Sequence, residues 1–164
     1  TGFSGGLPLF WRPWAVSALS PGEYAGQAEC ALLAVEASGE PVLEEFEASV
    51  NLVVEVTGAM IRDGEPIEAG ATVEVRLGRF TLEEMVTAVN SARSMVSVNF
   101  DARLTLDAQT QFPVRLLGQG AETYTPQADG SIAYALAVEM KQQNEDGSAG
   151  ALSVACQCQG TLSR

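Results

Sequence analysis

The stretch Phe80-Thr81-Leu82-Glu83-Glu84-Met85-Val86-Thr87-Ala88-Val89-Asn90 decides how the fold is read, because it alone carries a full set of helix signals. Thr81 and Glu84 have the spacing of a capping box, in which each side chain satisfies a backbone N–H at the other's position. Phe80 before the cap and Met85 at the fourth helical position suit a hydrophobic staple. Leu82, Met85, Val86 and Val89 then recur at i, i+3, i+4 and i+7, which puts them on one apolar stripe. The spacing predicts one amphipathic helix over about 81–92, lying on a sheet.

Outward from this segment the period changes to two. After it, Val96, Val98, Phe100, Ala102, Leu104 and Leu106 alternate with polar residues, as a strand buried on one face does. Before it, Phe46, Ala48, Val50, Leu52, Val54 and Val56 do the same opposite an acidic face, and Val73, Val75 and Leu77 make a shorter strand. Asp129-Gly130 and Asp146-Gly147 are positive-φ hairpin signals. They bracket a strand carrying Ile132, Tyr134, Leu136, Val138 and Met140, and the last strand, through Val154, Cys156, Cys158 and Leu162, is expected beside it. These patterns predict a mainly β chain: an antiparallel β-sandwich or barrel of roughly eight to ten strands with a single flanking helix.

The 164 residues suffice for one domain with its own core. We divide them into an irregular N-terminal arm, residues 1–22, and a β-rich domain, residues 23–164. The arm holds Gly and Pro together with Phe3, Leu7, Leu9, Phe10, Trp11 and Trp14, including both tryptophans of the chain. So broken a segment builds no core of its own, yet its apolar surface is costly to leave in water. It packs either on its own domain or on a neighbouring subunit, where aromatic anchors dominate binding energy. Phe3, Phe10, Trp11 and Trp14 are the candidate partner-binding residues.

Net charge is −12, with 21 acidic against 9 basic residues. Such a surface repels phosphate backbones, so direct nucleic-acid binding is not expected. The chain has no histidine, which removes His-based acid–base and nucleophilic catalysis and most zinc sites. Pro8 and Pro13 interrupt the only N-terminal apolar run, so neither a signal peptide nor a membrane span is expected.

Cys30, Cys156 and Cys158 are odd in number, which suggests reduced thiols. Cys156 and Cys158 fall on one face of a strand, a poor arrangement for a mutual disulfide, and metal binding would need further soft ligands. Their plain reading is as small buried hydrophobes. Glu44, Glu45 and Glu47 read as a solvated acidic face, without the facing walls of a glycosidase cleft or the spacing of a calcium loop. No catalytic, cofactor or metal site is expected, and the chain reads as no enzyme.

Residues 75–118 run strand, then Arg79-Phe80-Thr81-Leu82-Glu83-Glu84-Met85 opening the helix, Ala88-Val89-Asn90 near its end, an alternating strand, and Leu116-Leu117-Gly118. This order resembles a strand, capped helix, strand module of bacteriophage virion structural proteins, and is similar to the IN motif of flagellin and hook-associated proteins. Here Gly78-Arg79-Phe80 replaces a tighter Gly-aromatic pair, and Met85 stands where Leu is usual. The resemblance implies a structural subunit of a symmetric assembly, such as a capsid decoration (cement) protein or a tail-tube component. Its partners would be copies of itself and neighbouring virion subunits, and its location the virion, assembled in a host cytoplasm. The alternative is a glycan- or cell-surface-binding β-sandwich module using Trp11, Trp14, Tyr24, Tyr124 and Tyr134 as stacking platforms.

Overall fold

A computed structural model describes residues 19–36, 39–77, 80–106 and 114–164. The aromatic arm residues Phe3, Phe10, Trp11 and Trp14 lie outside the described residues. Ten strands form: β1 (Gly22–Val35), β2 (Val42–Val54), β3 (Met60–Arg62), β4 (Glu65–Ile67), β5 (Thr72–Leu77), β6 (Phe80–Ser91), β7 (Val96–Leu106), β8 (Val114–Pro126), β9 (Ile132–Gln143) and β10 (Ala149–Leu162). They make one sheet in the order β4-β3-β2-β1-β10-β9-β8-β7-β6-β5, every pair antiparallel. Each strand beside its sequence neighbour is the rule of an up-and-down barrel. The two sheet edges, β4 and β5, are consecutive in the chain. The Glu65 carboxylate accepts from the Glu74 N–H at 3.0 Å, so a side chain bridges the seam of a nearly closed barrel.

The predicted helix over 81–92 is not present; Phe80–Ser91 is strand β6. The reason is local. Leu82, Glu84 and Val86 all point into the barrel and are buried, but Glu84 is acidic and so hides the alternation. A bulge between Val86 and Ala88 then shifts the phase, bringing Val89 against the core. With an acid at one inward site and the period displaced at another, the remaining apolar residues imitate i, i+4, i+7. The apolar stripe meets β7 by ladder pairing instead: Leu82 lies opposite Leu104, Val86 opposite Phe100 and Val89 opposite Val98. Thr81, Val86, Thr87 and Val89 are β-branched and pack well on a pleated surface.

The predicted strands around it stand, with the core residues of β2, β5, β7 and β9 in their expected phase; Val56, expected in the same row as Val54, lies past the end of β2 and is 88% exposed, and the side chain of Leu106 lies outside the described residues. Asp63 and Gly64 both take positive φ, 49° and 85°, in the two-residue hairpin between β3 and β4. Gly130 and Gly147 do so in the turns that join β8 to β9 and β9 to β10. On the inner face of β8, a Cβ at Gly120 would sit 2.5 Å from the Ala137 carbonyl oxygen and 2.8 Å from the Phe100 ring. That wall can press close only because glycine stands there.

Cys30 and Cys158 lie directly opposite on β1 and β10 and are joined by a disulfide, so the expectation of three reduced thiols is corrected. The register that brings them together could not be read from their spacing. The bond closes 128 residues of sequence and ties the first strand to the last. A loop of that length corresponds to roughly 4–5 kcal/mol in the chain-entropy treatment. Cys156 remains a free, buried thiol, pushed up to about 11 by desolvation.

Candidate functional site

Two features stand out against an apolar core and an acidic exterior: a charged cluster inside the barrel, and an apolar patch outside it.

The interior cluster begins at the β3–β4 hairpin. Three residues of β3 pair with Leu52–Val54 of β2, which directs Arg62 into the lumen, where its side chain is 1% exposed. It reaches the opposite wall. Its Nε donates to Glu122 Oε2 on β8 at 3.1 Å, and its Nη2 donates to the Tyr134 hydroxyl on β9 at 2.9 Å. Nη1 pairs with Asp63 at the hairpin, and the Tyr134 hydroxyl donates to Glu122. The guanidinium carbon also lies 5.4 Å from the Tyr134 ring centroid. Each donor group of Arg62 is thus engaged in planar, charge-assisted contacts, the use to which arginine is better suited than lysine.

Glu84, on β6, and Tyr124, beside Tyr134 on β8, complete the cluster. Both are buried, and Glu84 Oε2 and the Tyr124 hydroxyl lack a hydrogen-bond partner among the described residues. Burial, followed by the neighbouring Glu122 carboxyl, raises the Glu84 pKa well above its ordinary value, with Arg62 opposing. Glu84 is therefore the acid that holds its proton in this cluster. Burial and Glu122 likewise raise Tyr124 and Tyr134. Arg62, which burial alone would pull down, is raised because Glu122 and the two tyrosines outweigh that effect. Chemically the cluster acts as a clamp: it ties the small β3–β4 hairpin at one sheet edge to the β8–β9 wall.

The exterior patch lies where β1 meets β2. Leu33 and Leu43 face each other across the ladder. Leu33, Val35 and Leu43 are 40%, 36% and 60% exposed, while Val42, opposite Ala34, has the inward phase and is open at the ribbon's end. Leu33 and Val35 continue into a shallow groove on the outer face of β10, β9 and β8, lined also by Ala155, Leu117 and Lys141. Further along the same ribbon Glu29 stands opposite Glu47, with Glu45 nearby, all exposed.

The structure redistributes the residues singled out from sequence. Tyr24, Tyr124 and Tyr134, offered as sugar platforms, are all buried; Tyr24 donates to the Ser20 carbonyl at 2.7 Å and Tyr134 belongs to the clamp. Glu45 and Glu47 are exposed as expected of a solvated face, whereas Glu44 points to the inner side and is half-buried. Arg62, Glu84 and Glu122 escaped the sequence reading. For Glu122 the signal was there: the row Leu116, Gly118, Gly120, Glu122, Tyr124 keeps the inward phase of β8, so an acid in it had to be buried. No family model and no curated protein matches the chain.

Proposed function

We propose that this chain is a structural subunit of a symmetric assembly, acting through contacts with copies of itself and neighbouring subunits. The observation that carries this reading is the apolar end of the β1–β2 ribbon. Leu33, Val35 and Leu43 form one exposed cluster on the outer face of an otherwise acidic barrel, and contiguous exposed apolar surface rimmed by polar residues marks interaction sites. Two further features support it. The disulfide and the Arg62 clamp stiffen the barrel, which suits a part that must present a fixed surface. The arm offers Phe3, Phe10, Trp11 and Trp14 as anchors of the kind that dominate subunit contacts. Within this class the resemblance of residues 75–118 favours a virion protein of the capsid-decoration or tail-tube kind. Because those residues include strand β6, where that module has a helix, the proposal rests on the ribbon and the arm.

Sedimentation velocity and negative-stain imaging of the purified chain over a hundredfold concentration range test the reading. Discrete oligomers, rings or stacks are expected as concentration rises; a monomer throughout would defeat self-assembly.

A further inference from the structure

Building on the assembly reading, we propose that the β1–β2 ribbon is the acceptor for residues 1–18 of a second copy, so that subunits join head to tail. The described chain begins, at Leu19, at the end of β1 away from the patch. Leu19 is buried, the Ser20 carbonyl is held by Tyr24, and β1 starts at Gly22. Leu33 lies 11 residues further along β1, about 36 Å away at ~3.3 Å per residue. Trp14 is only five residues from Leu19 and Trp11 eight, giving at most about 18 and 29 Å of fully extended chain. The extended backbone from Leu19 to either tryptophan is thus shorter than the Gly22–Leu33 span, which favours the arm of a neighbour stacked end to end over the chain's own.

Chemistry selects the same occupant. All 21 acidic residues lie beyond residue 22, and Arg12, between the two tryptophans, is the only charged side chain of residues 1–18. The ribbon presents the inverse: an apolar end, then Glu45, Glu47 and Glu29. Glu29 and Glu47 face each other across the ladder, and like charges so placed repel until a cation lies between them. An arm with aromatic anchors and one arginine matches both. β3 covers β2 only over Leu52–Val54, leaving room for the arm along the hairpin end. A contact between two different surfaces is heterologous, and generates a ring if the rotation closes or a filament if it does not.

The test uses the full chain in three forms: wild type, an acceptor variant Leu33→Glu/Leu43→Glu, and a donor variant Trp11→Ala/Trp14→Ala. Sedimentation velocity is expected to show each variant alone associating at least tenfold more weakly than wild type. An equimolar mixture is expected to give a 1:1 dimer, because the donor variant keeps an intact ribbon and the acceptor variant an intact arm. If the double substitution perturbs folding, seen as a lowered melting temperature, the single Leu43→Gln change at the more open of the two positions replaces it, with a smaller loss expected. An acceptor variant that assembles like wild type, or a mixture that stays monomeric, overturns the head-to-tail contact while leaving assembly itself in place. A monomeric wild type whose tryptophan emission shifts red in the acceptor variant shows an arm folded on its own barrel and overturns it too. A wild type that is monomeric with no such shift overturns the assembly reading as well.

Discussion

Arg62–Glu122 and Arg103–Glu83 are arginine–glutamate pairs on opposite sides of the barrel wall. Arg62 crosses the lumen to Glu122 with both side chains 1% exposed; Arg103 on β7 reaches Glu83 on β6 across the outer ladder, with side chains 50% and 33% exposed. The contact atoms are alike: Arg62 Nε to Oε2 at 3.1 Å, and Arg103 Nε to Oε1 at 2.9 Å. Their surroundings are not. In the lumen each charge has lost its water and depends on its partner, so removing one strands the other. On the outside, water and salt compete for both groups, and little is gained by holding them together. The pair that carries the fold is the one that reaches between strands distant in sequence.

The largest effect is expected from Arg62→Ala. Loss of the guanidinium leaves Glu122 buried without its cation, and urea denaturation is expected to show a loss of about 3–5 kcal/mol. The double change Arg62→Met/Glu122→Gln should recover much of it, because no fully buried unpaired charge remains and Asp63, 30% exposed, keeps access to water; equal damage in both variants would mean that the clamp acts through packing alone.

Next comes the pH response of Glu84. Its folded pKa lies above the ordinary value of 4.5, so above pH 4.5 the native state keeps a proton that the unfolded chain has released. This contribution to stability is complete at and below about pH 4 and declines as pH rises toward the folded value, with a limiting slope of about 1.4 kcal/mol per pH unit for one proton. Glu84→Gln is expected to flatten that part of the stability profile and to be more stable than wild type at neutral pH. Identical pH slopes in the two proteins would show that Glu84 is not the proton carrier.

The smallest change is expected at the outer pair, where Arg103→Ala should cost about 0.5 kcal/mol or less and become undetectable in high salt. A loss as large as that of Arg62→Ala would erase the contrast between the two faces.

Much of the fold was legible. The alternation in β2, β7 and β9 and the Asp-Gly turns specify strands and hairpins locally, through side-chain direction and backbone φ, and they read correctly. β6 was misread because the feature that makes it part of the candidate site, an acid facing the lumen at Glu84, breaks the pattern by which strands are recognised. The bulge beyond Val86 added a false helical phase. The clamp was hidden for a different reason: Arg62 stands 60 residues from Glu122 and 72 from Tyr134, and only closure of the barrel makes them neighbours.

What the sequence by itself determined, then, is a β-rich chain with a buried face, an acidic outer face and an aromatic, Gly- and Pro-rich N-terminal stretch, since these follow from period, charge and composition. Tertiary structure alone decided that the strands curl into a nearly closed barrel, that Cys30 and Cys158 stand opposite one another, and that two glutamates and an arginine lie inside. Ladder register and the curvature of the wall set those pairings, and both are sums over many weak contacts between strands far apart in the chain.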